Sequence, residues 1–134
     1  MDDDAFLEAF EARTLPKEAF NHRGHIRAAW MYVRAHGREE GRSYFRQALL
    51  GYVNAVGASA IYNETLTCVW LHVVANAVEA SDPRASASAD FEHFLGENPH
   101  LMDRRLPYAF YSEQALTSDR ARAQFVDPDR KPLT

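Results

Sequence analysis

Apolar residues recur along most of this chain at the spacing of an α-helix, and the densest run is Tyr62–Val78. At about 100° per residue, Leu66, Val69, Trp70, Val73 and Ala77 fall on one face. Thr67, Leu71, Val74 and Val78 form a second face beside it, leaving Thr65, Cys68, His72, Asn76 and Glu79 as a narrow polar stripe. A helix apolar over so much of its circumference packs on several sides, which predicts a central position. Asn63 suits the N-cap and Glu64 the first turn. Both therefore belong at the edge of a dry interior.

The other elements are read around that helix. Asp2–Asp4 followed by Phe6, Leu7 and Phe10 predict a first helix to about Arg13, interrupted by Pro16. LPKEAF reads as a connector with one helical turn after the proline. A second helix runs from His22 or Arg23 to His36 and is closed by Gly37. On its wheel Ile26, Ala29, Trp30 and Val33 share one face, with His22 inside that arc and His25, Tyr32 and His36 along one edge. Arg23, Arg27 and Arg34 fall on the other side, toward water. A third helix, Glu39–Val56, carries Phe45, Ala48, Leu49, Tyr52, Val53 and Val56 in its stripe and ends at Gly57. EASDPRASASAD marks a loop. A further helix spans about Ala87–Leu95. Beyond Pro99 the elements shorten, with a capped helix from Thr117 or Ser118 to Phe125 and an extended tail. No stretch alternates with period two over strand length. The prediction is all-α: a single-domain helical bundle (1–134) of four to five main helices, with a C-terminal wrapping segment of short helices.

Composition narrows the function classes. The chain has 134 residues, one core's worth of sequence. A formal charge of −4 argues against a nucleic-acid partner, since phosphate contacts need a basic surface. The single cysteine, Cys68, excludes an internal disulfide and fits a reducing compartment. MDDDAFLEAF lacks a basic segment followed by an apolar one, and no apolar run has membrane-spanning length. A cytoplasmic protein with no membrane partner is the expectation.

Candidate chemistry centres on His22 and His25, an H-x-x-H pair at a helix start. Residues three apart face the same way, so both imidazoles can reach one metal ion or one small molecule. Glu64, and with it Asn63, would add oxygen atoms from the central helix. The set His22, His25 and Glu64 is compatible with iron or zinc. Without a metal, His25 would be the base and Glu64 its orienting partner. Tyr108 and Tyr111, after Pro107, would close the pocket and offer hydroxyls to a substrate, or else staple a short helix to the bundle. Cys68 has His72 four residues on, but a lone buried cysteine is usually inert. H-x-x-H by itself is a weak motif, and a structural pair is the plain alternative.

Three segments, FNHRGHIRAAWMYVR, YNETLTCVW and YSEQALTSDRARAQFVDPDRKPL, together resemble a group of small bacterial all-helical proteins. That group carries H-x-x-H-x-x-x-A-W, a helix start Y-H-E-T-[IL]-T and a similar tail. The resemblance covers most of the chain. It implies the helical fold and a pocket around His22, His25, Tyr62 and Glu64, and no reaction. Asn63 stands where the pattern has histidine, which implies lost or altered activity if that histidine is a ligand or base. Three functions follow as expectations: an enzyme acting on a small molecule, with or without a divalent metal; a non-catalytic module binding a small-molecule ligand through Tyr62, Asn63 and the histidines; or an interaction scaffold, such as a homodimer.

Overall fold

The computed structural model describes residues 1–84 and 89–134 in full and the backbone of 85–86. Every regular element among them is helical. Helix α1, Asp3–Glu11, begins at an Asp2 N-cap whose carboxylate accepts from Ala5 N at 2.8 Å, and it buries Phe6 and Phe10. A continuous helical stretch, α2, follows at His22–Ala55 but is broken at Gly37, where φ is +84°. Only glycine takes that backbone geometry at little cost, and the chain reverses there. Ring contacts step outward from the break: His36 on Tyr44 at 4.6 Å, His25 on Phe45 at 5.2 Å, Phe20 on Tyr52 at 5.0 Å. The second limb of α2 thus runs back along the first. At Gly41 a Cβ would stand 2.8 Å from the Tyr32 carbonyl oxygen, so the limbs approach closely there.

Helix α3, Glu64–Ala80, fills the middle and packs on both α2 and the C-terminal segment. Nine of its residues are buried, among them Val69, Trp70, Leu71 and Val74, which accords with its nearly all-round apolar sequence. Helix α4 is a single turn, Pro83–Ser86. Ala87, where the pattern starts the next helix, lies outside the described residues; α5 runs Phe91–Glu97 behind an Asp90 N-cap. Short 3-10 turns at Lys17–Ala19, Ser59–Ile61, Pro99–Met102 and Leu106–Ala109 make the corners.

The arginines of the first α2 limb do not simply face water. Arg27 lies 4.6 Å over the Phe6 ring and pairs with Asp3 at 2.7 Å; Arg34 lies 4.7 Å over Trp30; Arg23 covers Phe91 and pairs with Glu92. α1 and α5 cover that side of the helix, and long cationic side chains can lie along apolar rings while keeping a charged partner.

The last part of the chain wraps α3. Helices α6, Glu113–Leu116, and α7, Asp119–Ala123, start at the serine N-caps Ser112 and Ser118. Tyr111 and Leu116 bury a second apolar cluster against Val69. The buried Thr65 hydroxyl donates to the Gln124 carbonyl at 2.9 Å and accepts from Val126 N at 3.2 Å, a two-point tie for the tail. The polar stripe of α3 is a packed network: Arg38 donates to Asn76 and Glu79, and His72 Nε2 donates to the Thr134 oxygen at 2.7 Å. Among the described residues no helix is long and apolar enough to cross a membrane.

Candidate functional site

A cavity of about 470 Å³ opens between the start of α2, the end of its second limb and the start of α3. That volume lies in the range of small-molecule sites. Its walls are mainly apolar: Phe20, Leu49, Val53, Val56, Leu66 and Trp70. Polar side chains reach it from His22, His25, Tyr62 and Asn63, four of the positions singled out in the sequence.

The histidines are placed by the turn before α2. Asn21 caps the helix, its Oδ1 accepting from Gly24 N at 2.9 Å. Gly24 is required by packing, because a Cβ there would meet the Ala19 carbonyl oxygen at 2.3 Å. Locked at that start, His22 and His25 are one turn apart on the side facing α3 and the second α2 limb. His22 Nε2 donates to the Leu101 carbonyl at 2.8 Å, and its ring meets Trp70 edge-on at 4.7 Å. Desolvation outweighs that hydrogen bond and draws the imidazole below its ordinary pKa; the Arg104 charge works in the same direction.

His25 is different. Phe45 meets its ring edge-on at 5.2 Å and Phe20 lies 5.8 Å away. No described residue hydrogen-bonds to either of its ring nitrogens, and neither nitrogen is sealed from solvent. Burial, with repulsion from His22 second, pushes its pKa down to about 4. At neutral pH it is an uncharged imidazole with both a donor and an acceptor available.

Most other polar groups around the cavity are already occupied. The Tyr52 hydroxyl donates to the Leu15 carbonyl at 2.8 Å. Asn63 caps α3 by accepting from Leu66 N at 2.9 Å and ties the C-terminal segment by donating to the Leu116 carbonyl at 2.8 Å. Thr67 donates back to the Asn63 carbonyl. Tyr62 donates to Glu64 Oε1 at 2.6 Å, and burial, followed by that hydrogen bond, raises its hydroxyl to about 12.

Glu64 does not join the histidines. Its carboxylate points to the second α2 limb, where Arg46 holds it at 2.6 Å, and it also accepts from Tyr62 and from the Cys68 thiol. The cause is charge: an arginine eighteen residues upstream in sequence outcompetes a neutral imidazole for the carboxylate. Among the described residues no group of three or more His, Cys, Asp or Glu side chains is placed to hold a metal ion. The donor set His22, His25 and Glu64 is therefore not assembled, and neither an iron nor a zinc step is derived from it. Burial, then the Glu64 charge, raises the Cys68 thiol, which is bonded to Glu64 and not to His72.

Tyr108 and Tyr111 lie outside the cavity. Tyr111 is buried in the second cluster and donates to the Val126 carbonyl at 2.6 Å, while Tyr108 packs on the same cluster under Arg105. They staple the wrapping segment. Sequence reasoning missed Lys17, Phe20 and Arg104, which line the cavity from turns whose pattern carries no periodicity. It also passed over Val53 and Val56 as ordinary stripe residues. No protein family, curated protein or solved structure matches this chain.

Proposed function

We propose that this protein binds a small, largely apolar molecule in the cavity between α2 and α3, with His25 as the polar group that orients it. The observation that carries the reading is His25 itself: a neutral imidazole in an apolar chamber, open to solvent, with no hydrogen-bond partner among the described residues. Buried polar groups normally find a partner, and a ligand hydroxyl, amine or carbonyl would supply one. A base with a pKa of about 4 is poorly matched to proton abstraction at neutral pH. Glu64, the residue that could raise it, is held by Arg46. The arrangement thus supports holding a ligand over transforming it.

Phenylnaphthylamine, an uncharged dye that fluoresces in apolar surroundings, tests the reading. Saturable one-site binding is expected, and Val53→Trp or Val56→Trp, each filling the chamber from its half-exposed wall, should abolish it while the protein stays folded by circular dichroism. Absence of saturable binding, or binding untouched by both substitutions, contradicts the proposal.

A further inference from the structure

The charges around the cavity carry information that its shape does not. Acidic residues outnumber Lys and Arg by nineteen to fifteen in this chain, so an unselected patch of surface should lean negative. The described lining leans the other way. Lys17 and Arg104 are its charged members, and no Asp or Glu is among them. They come from separate turns, Lys17 from the one before α2 and Arg104 from the one after Pro99–Met102.

No described residue forms an ion pair or hydrogen bond with the side chain of Lys17 or Arg104, which leaves both free to meet a ligand. The neighbouring acids lie outside the lining, although the Glu18 charge is felt at Tyr52 in the wall. The Asp103 carboxylate accepts from the Arg105 backbone at 3.0 Å. Arg104 is close enough for its charge to be felt by His22. Two unpaired cations beside an apolar chamber form an amphipathic receptor: a dry body and a positive lip.

We infer that the ligand is an organic anion, an apolar body seated against Phe20, Val53 and Trp70 with its acidic group held by Lys17 and Arg104. This rests on the cavity-binding reading above and adds the ligand's charge. Both cations are exposed, so each contributes modestly, and together they should favour an anion over its uncharged counterpart by about tenfold. A carboxylate or a sulfonate meets the same chemistry.

The test compares phenylnaphthylamine with anilinonaphthalene sulfonate, which has the same two aromatic groups plus one sulfonate. Wild-type protein should bind the sulfonate about tenfold more tightly, and the double variant Lys17→Gln with Arg104→Gln should bring the two dyes to nearly equal affinity without weakening the uncharged one. Val53→Trp should abolish both. Equal affinities in the wild type, or a preference that survives the double variant or Val53→Trp, overturn the anion inference and leave the uncharged dye's result standing. Failure of both dyes to bind saturably removes the cavity reading as well.

Discussion

Two neighbouring polar sites meet at the start of α3, and they differ in one respect. On one side Glu64 is saturated by Arg46, Tyr62 and Cys68. On the other His25 faces a chamber with no described partner. Glu64 sits in a closed network of the kind that holds elements together. His25 sits in an open one of the kind that waits for a ligand. A histidine and a carboxylate that the sequence pattern pairs therefore need not act together in the fold. What else each can bond to decides the outcome, and for Glu64 the competing charge of Arg46 is stronger than a neutral ring.

Substitutions on the two sides should behave differently. Glu64→Ala strands Arg46 and leaves Tyr62 without its acceptor, so a loss of about 2 kcal/mol is expected in urea unfolding, with dye affinity unchanged. A large loss of binding at constant stability would erase the distinction. The next effect is a pH dependence from His25. Its folded pKa of about 4 lies below the ordinary 6.5, so the unfolded chain takes up the proton first as pH falls. Stability should therefore decline between those two values and show no His25 contribution to its slope above 6.5. Discounted for the ring's partial exposure, the decline is about 1–2 kcal/mol, and it should shrink in His25→Gln. An unchanged slope in that variant would put the imidazole in water.

Smaller effects sharpen the picture at the boundary. Asn63→Ala removes the α3 cap and the tie to Leu116, for a loss of about 1 kcal/mol in thermal unfolding. Cys68→Ala should change stability by less than about 0.5 kcal/mol, since Glu64 keeps its two stronger donors. A marked fall in dye binding on that change would place the thiol in the site.

Much of this was legible in the letters. The 3.6-residue periodicity predicted α1, α2 and α3, and Gly37 was readable as a stop because few residues tolerate its backbone. The i, i+3 spacing of His22 and His25 put both on one side of a helix, and both reach the cavity. What could not be read was the direction of a side chain at an element's edge. Glu64 opens α3, and its orientation is set by Arg46 on another element. Tyr108 and Tyr111 turn to the second cluster because Val69 and Val126 are there. Lys17 and Arg104 reach the cavity from two irregular turns, where local pattern says nothing about where the chain returns.

The central claim is that His25 is a neutral, accessible and unoccupied polar group. Imidazole resonances of His25 followed by NMR, first against pH and then against added naphthol, test it most directly. The account predicts a ring that stays uncharged until the pH approaches about 4 and whose signals shift on naphthol binding. A ring that titrates near 6.5, or signals that ignore naphthol while the dye binds, would contradict it.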